Sequence, residues 1–264
     1  EAIEWKNGRH SLIDVFRFAM LLKSREIDIA FVMNPSKDSN LAVYFAGIPE
    51  RIGYARKWDF LLTKTIQDTK DLGLKHEVEC NLELVKVAGA ETKDKSLFID
   101  VNGTDPLIPV GSIAIHPWTS DPIKQWPSER FRELALRLVK ELETDVIIIG
   151  GKEELGKSAS YNYLNNRIIN MTGKTSLSQL AGILKKCGLL ISGDSGPVHL
   201  ASSVGTPVVA LFRNDIAGKG PKRWGPWGYG ALVIEKKQLS DITVEEVLNK
   251  VKEWKKSSSS ILSV

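Results

Sequence analysis

The sequence predicts an α/β protein built from two parallel-sheet domains, and three observations carry that prediction. Short apolar runs of strand length alternate with longer stretches whose apolar residues recur at helical spacing, most clearly after residue 112. The strand candidates are apolar throughout, as strands buried on both faces are, where a half-exposed antiparallel sheet would alternate. Glycine, proline, serine and threonine collect where an apolar run gives way to a helix, which is the turn chemistry of strand-to-helix connections.

The elements follow in order. Leu12 to Leu22 carries apolar residues at helical spacing, "DIAFVM" (28–33) reads as a strand, and 38–47 reads as a helix. "RIGY" (51–54) is a short extended piece and 76–89 an amphipathic helix. "VNGTDPLIPVGS" (101–112) concentrates Gly, Pro and Asn and reads as a linker, which sets the domains at 1–105 and 106–264. Beyond it come strand 112–116, helix 128–142, strand 145–149, helix 153–165, strand 167–170, helix 176–187 and strand 189–192. A helix opening at Pro197, a strand at 208–212, a Gly- and Trp-rich loop at 213–230, a strand at 231–235 and a helix at 243–255 complete the series. The tail "SSSSILSV" is expected to fray.

Composition narrows the function classes. Apolar residues make up 42% and charged residues 26% of 264, the balance of a soluble globular chain with room for two cores. No apolar run reaches the roughly 20 residues that span a bilayer. Cys80 and Cys187 form neither a metal-ligand nor a redox pattern, so two reduced structural thiols and a cytoplasmic location are expected. The net charge of +4 is uneven, −2 over residues 1–105 and +6 over 106–264. That surplus is too small, and too free of a basic and aromatic stripe, for a nucleic-acid partner; an anionic small molecule suits it better.

The sharpest motif is "LLISGDSGPVHLASSVGTPVVALF" (189–212). Its "GDSGP" invites comparison with the G-D-S-G-G-P nucleophile loop of chymotrypsin-like proteases, but the setting is strand–loop–helix–strand and the second glycine is absent. Such a loop binds an anion instead: a helix opening with Ser195, Gly196 and Pro197 presents backbone N–H groups and the positive end of its dipole. Ser195 adds a hydroxyl, and His199, one turn in, is placed to reach the same ligand. The plainer reading is that Asp194 and Ser195 only cap a helix, with Ser195 or Gly196 as the cap residue.

Three more strand ends carry suitable chemistry. "IAIHPWTSDPIKQWPSERFRELALRL" (113–138) supplies Thr119 and Ser120 as donors to phosphate oxygens and Lys124 as a point charge for a diphosphate; for Lys124 taken alone a solvated loop lysine is the plainer reading, and for Trp126 core packing is. "IIIGGKEE" (147–154) starts a helix with Glu153 and Glu154, one of which can accept from ribose hydroxyls or simply complement the helix dipole. "MTGKTSLSQL" (171–180) turns at Gly173, with Thr175 or Ser176 as cap and backbone groups available to a base edge. All four loops fall at the carboxyl ends of successive strands of one sheet, the edge where α/β proteins bind ligands.

In this order, "IHPWTSDPIKQWPSERFRELA", "IIIGGKEE", "MTGKTSLSQLAGIL", "LLISGDSGPVHLASSVGTPVVALF" and "RWGPWG" resemble glycosyltransferase family 9, the ADP-heptose:lipopolysaccharide heptosyltransferases. The likeness is close over 113–228 and looser over 9–89, where it rests on "GRHSL", "RIGY" and "HEVECNLELVKVAG". It implies the GT-B fold, two Rossmann-like domains facing a cleft, with nucleotide sugar on the C-terminal domain and acceptor on the N-terminal one. It implies inverting transfer of heptose from ADP-heptose to a lipopolysaccharide inner-core acceptor, with no metal or other cofactor. Asp194 would hold donor-sugar hydroxyls, Ser195, Gly196 and His199 the diphosphate and adjoining sugar, and Thr119, Ser120 and Lys124 the phosphates. Lys124, Asp194 and His199 would serve the chemistry, Glu153 or Glu154 would take the ribose, and Lys174 and Thr175 would line the adenine pocket. The expected partners are a nucleotide sugar and a lipid-linked oligosaccharide, with transient contact at the inner leaflet of the inner membrane.

Three departures stand out. Trp118 occupies a place where the family often has glycine, and "LFRND" brings Arg213 near the site, for acceptor, phosphate or solvent. The family's carboxylate base sits in an N-terminal strand–Gly-Asp loop, and the only Gly-Asp here is Gly193-Asp194. The N-terminal domain is therefore expected to be incomplete and the base to lie upstream of residue 1, with Asp14 and Asp38 as the substitutes at hand. The chain as given is expected to bind ADP-sugar and transfer poorly, or to act as a binding module without transfer.

Overall fold

The computed structural model describes the chain except residues 1, 2, 4, 6–9, 102–107, 229 and 262–264, and describes 258–261 without their side chains. Gly8 and Arg9 of "GRHSL" and half of the 101–112 stretch thus lie outside the described residues. The chain divides into two compact units, Glu1–Asp94 and Lys95–Val264. The division precedes 105/106 because the segment after Asp94 is tied to the second unit. The Ile99 amide donates to the Ser203 carbonyl at 3.1 Å, and the Trp227 indole donates to the Lys95 carbonyl at 2.6 Å.

The first unit runs α1 (Leu12–Lys23), β1 (Ile29–Val32), α2 (Lys37–Phe45), β2 (Glu50–Ala55), β3 (Lys64–Gln67) and α3 (Glu77–Lys86). Its strands form a parallel sheet in the order β1-β2-β3. Serines open both early helices: Ser11 and Asp14 cap α1 reciprocally, and Ser36 and Ser39 do so for α2. The "RIGY" piece is part of β2, where Ile52 and Tyr54 pack on Leu84 of α3 and the Tyr54 hydroxyl donates to the Cys80 carbonyl at 2.7 Å. The strand β3 escapes a reading from sequence because "KTIQ" is mostly exposed and carries no apolar run.

The second unit holds β4 (Ile113–His116), α4 (Ser128–Leu142), β5 (Val146–Ile148), α5 (Leu155–Ser158), β6 (Ile168–Asn170), α6 (Leu177–Lys186), β7 (Leu189–Gly193), α7 (Gly196–Ser203), β8 (Val208–Arg213), α8 (Pro221–Trp224), β9 (Ala231–Lys236) and α9 (Val244–Ile261). Its six strands are all parallel in the order β6-β5-β4-β7-β8-β9, so the winding direction reverses between β4 and β7. Successive side chains point to opposite faces. Ile113, Ile115, Leu189 and Ile191 meet Phe131, Leu134 and Leu138 of α4 and Val247 and Leu248 of α9. Ala114, Ile147, Leu190 and Ala210 meet Ile183 and Leu184 of α6 and Val198 and Ala201 of α7. Trp126 is fully buried, edge-on to Phe131, with its indole N–H donated to the Ile242 carbonyl at 2.9 Å; core packing is its role.

Two expectations are corrected. Residues 153–165 are not one helix but a chain of short turns, Lys152–Glu154, α5 and Ala159–Tyr161. The Ser158 carbonyl, instead of continuing the ladder, accepts from the Asn170 side chain at 3.1 Å. The serine-rich tail does not fray at once: α9 continues to Ile261, and the Ser257 hydroxyl donates back to the carbonyls of Glu253 at 3.2 Å and Trp254 at 2.9 Å. Cys80 and Cys187 are buried and form no disulfide, and burial pushes the Cys187 thiol up to about 12. Among the described residues no helix is long and apolar enough to cross a membrane.

Candidate functional site

Where a parallel sheet reverses its winding, the connections diverge and leave a crevice at the carboxyl ends of the two central strands. In the second unit those strands are β4 and β7, and their register sets His116 beside Ser192. Ala114 and Leu190 face α6 and α7, so His116 and Ser192, two residues further on, face the same way. Both are buried. The imidazole Nδ1 lies 3.3 Å from the Ser192 hydroxyl and 3.1 Å from that of Ser195, and the two hydroxyls are 2.8 Å apart. Burial pushes His116 down to about 4, so the ring is neutral at pH 7.

Ser195 stands at the N-cap of α7 in extended backbone, yet its side chain makes no capping bond. Its hydroxyl is turned to His116 and Ser192. The helix start also offers fewer amides than its spelling suggests. Pro197 has no N–H and the Val198 amide donates to the Ser195 carbonyl at 3.1 Å, which leaves the Gly196 amide at the positive end of the dipole.

Lys124 ends a single turn, Pro122–Lys124, capped by Asp121. Its ammonium sits 2.5 Å from Asp194 Oδ2, with side-chain exposures of 24% and 11%. It is therefore not a solvated loop lysine. The pair is an ionic contact without hydrogen-bond alignment: Asp194 Oδ2 is buried and has no hydrogen-bond partner among the described residues. A buried carboxylate oxygen in that state is suited to accept from a ligand hydroxyl.

A cavity of about 420 Å³ opens above these groups. The β4 loop contributes His116, Thr119 and Ser120, the β5 loop Gly150, Gly151, Glu153 and Glu154, the β6 loop Thr175, Ser176 and Leu177, and the β7 loop Asp194 to Pro197. The two glutamates differ. Glu154 Oε2 accepts from the Gly151 amide at 2.6 Å and is spent on the turn. Glu153 folds over Gly151, with no hydrogen bond to its carboxylate among the described residues, and so is the one open to a diol. Trp118 leaves the phosphate loop altogether. It is buried edge-on to His116 and Tyr161, and a β-carbon on Gly150 would lie 2.5 Å from its ring, so the two residues fit only as a pair.

Three predicted site residues do not line this cavity: Lys124, which meets it only through its ionic contact with Asp194, and Lys174 and His199. The Lys174 ammonium folds back onto the Asn170 carbonyl at 2.7 Å, because Gly173, at φ +69°, reverses the chain just before it. His199 lies on the flank of α7 that meets α8, its ring 6.5 Å from that of Trp224. Arg213 is held by Asp215 in a two-pronged pair at 2.9 and 2.6 Å. In the first unit Asp14 is committed to its helix cap and Asp38 faces His10 at 3.3 Å. Sequence reading missed His116 and Ser192. The available signal was a polar residue ending each of two strands that the fold makes neighbours. Among the described residues no group of three or more His, Cys, Asp or Glu is placed to hold a metal.

The chain belongs to glycosyltransferase family 9 (heptosyltransferase), whose family model matches residues 15–252. Lipopolysaccharide heptosyltransferase 2 of Escherichia coli K12 is 24% identical over 217 residues, 72% of this chain and 61% of its own length. The chain thus spans about three fifths of that relative. A glycosyltransferase family 9 structure from Veillonella parvula superposes with a TM-score of 0.79 at 23% identity, covering 94% of this chain and 80% of its own. The E. coli heptosyltransferase WaaC with ADP gives 0.74 at 18%, covering 91% and 77%. The fold is of the GT-B type.

Proposed function

We propose that the second unit binds ADP-heptose and that the chain serves metal-independent transfer of heptose, with inversion, to a lipopolysaccharide inner-core acceptor. The observation that carries the reading is that Asp194 and the helix-start residue Gly196 line one cavity at the switch point while the Lys124 ammonium sits against the Asp194 carboxylate. In the transfer, the acceptor hydroxyl oxygen attacks the anomeric carbon from the face opposite the diphosphate. The bond from that carbon to the β-phosphate oxygen breaks, ADP leaves with the electron pair, and the proton of the acceptor hydroxyl passes to a general base or to water. Lys124 and the α7 dipole stabilise the charge that gathers on the departing diphosphate. Asp194 accepts from donor-sugar hydroxyls, Thr119 and Ser120 donate to phosphate, Glu153 takes the ribose diol and Thr175 lines the base pocket.

An anionic acceptor is supported by a second recess, of about 410 Å³, in the first unit, lined by Lys37, Lys57 and Trp58, with Arg56 also at its wall but paired to Asp68. Cations there suit acidic sugars and the indole face suits their C–H surfaces. Leu12, Ile13, Phe16 and Met20 are exposed on one face of α1 and supply apolar surface for contact with an inner leaflet. A second reading, binding without transfer, is favoured by the local roles of Asp14, which caps its helix, and Asp38, which faces His10.

Titration calorimetry of the chain against ADP, UDP and GDP tests the donor assignment. ADP is expected to bind at least about tenfold tighter than the other two, a difference of about 1.4 kcal/mol. Equal affinities, or no heat with any of them, overturn it.

A further inference from the structure

His116 is a buried histidine whose hydrogen-bond partners among the described residues are two serine hydroxyls and no carboxylate. The three polar atoms form a closed triangle with sides of 3.1, 3.3 and 2.8 Å. Each hydroxyl carries one proton and the ring nitrogen one or none, so the protons can be counted. With Nδ1 bare, Ser195 donates to Nδ1 while Ser192 donates to Ser195, or Ser195 donates to Ser192 while Ser192 donates to Nδ1. Either way both protons are used inside the triangle; Ser195 can turn its proton outward only by leaving the 2.8 Å contact between the two oxygens without one. With the proton on Nδ1, the ring fills one side, Ser192 donates to Ser195, and the Ser195 proton points into the cavity. The oxygens of an ionised diphosphate accept and do not donate, and the second arrangement serves them while keeping two sides of the triangle hydrogen-bonded, where a bare Nδ1 would keep one.

We infer that His116 is a positioning residue: its Nδ1–H form orients the Ser192–Ser195 hydroxyl pair so that Ser195 donates to an anionic oxygen of the ligand's diphosphate. The inference rests on the diphosphate reading and adds to it the group that decides whether the N-cap hydroxyl is a donor or an acceptor. The ring stays neutral, since burial holds it near 4, and Nε2 is then the bare nitrogen. A tautomer is selected, not a charge.

Calorimetry on the whole chain, with ADP as ligand and adenosine as its phosphate-free control, tests this with three substitutions. His116→Ala should weaken ADP about tenfold, as loss of a charge-assisted hydrogen bond does, and leave adenosine within about twofold. His116→Asn, whose amide places an N–H where Nδ1–H stands, should restore ADP affinity to within about threefold of wild type. Ser195→Ala should cost about tenfold in the wild type and no more than about twofold on top of His116→Ala. Additive losses, an equal loss for adenosine, or an asparagine variant no better than alanine overturn the inference. Imidazole ¹⁵N shifts of the wild type with ADP, assigned by the asparagine variant, give an answer even if the alanine variant does not fold. A protonated Nδ1 with a bare Nε2 is expected, and the reverse pattern overturns it. ADP binding with additive losses removes this inference alone, whereas no ADP binding by the wild type removes the diphosphate reading and this inference with it.

Discussion

The helices α6 and α7 both start at the rim of the same cavity with a serine at the N-cap, and they use that serine in opposite ways. Ser176 closes a reciprocal capping box: its hydroxyl accepts from the Gln179 backbone amide at 3.3 Å, and the Gln179 side-chain oxygen accepts from the Ser176 backbone amide at 2.9 Å. Ser195 makes no such bond and spends its hydroxyl on His116 and Ser192. A local rule obeyed at one helix and broken at its neighbour singles out the second, where the proposed diphosphate would sit.

The contrast can be broken or sharpened by measurement. Removing the cation beside α7 is expected to have the largest effect. Lys124→Ala leaves Asp194 facing the diphosphate unneutralised and should weaken ADP by about 10- to 100-fold in calorimetry. An unchanged affinity would separate Lys124 from the site.

Acid should act on the α7 side and not on the α6 side, because His116 titrates and Gln179 does not. The folded imidazole is held at about 4 against an ordinary 6.5, so its contribution is complete above pH 6.5 and is lost as the pH falls towards 4. In that window the unfolded chain binds a proton that the folded chain refuses, and stability falls by at most about 1.4 kcal/mol per pH unit. Denaturant unfolding of wild type and His116→Asn checks this, since the wild type should lose stability relative to the variant as the pH falls from 6.5 towards 4; parallel curves would place the imidazole in water.

The smallest effect is a difference between the two serines. Ser176→Ala should cost about 1 kcal/mol of stability and leave ADP affinity within about twofold. Ser195→Ala should cost about 1 kcal/mol or more, since the buried Ser192 hydroxyl loses its acceptor, and unlike Ser176→Ala it should also weaken ADP. An ADP affinity unchanged by Ser195→Ala would show that the hydroxyl serves only the fold.

Much of this architecture is legible in the chain because its causes are local. Apolar runs such as "LLIS" and "VIII" mark strands buried on both faces, and Ser176 with Gln179 marks a helix start within four residues. The break in 153–165 was not legible, since the groups that interrupt it, Asn170 and the Gly173 turn above Leu155, arrive from the next strand. Nor could spacing choose between Glu153 and Glu154, two adjacent carboxylates of which one is taken by a backbone amide.

By itself the sequence determined a parallel α/β chain with polar loops at its strand ends, and a family in which such loops face a nucleotide sugar. Only the tertiary structure decided which polar atoms meet. His116 finds Ser192 and Ser195 across separations of 76 and 79 residues. Side chains alternate along a strand, and the register between two strands is set by the packing of both sheet faces at once. No local pattern encodes that pairing, so the direction of a single hydroxyl waits on the whole sheet.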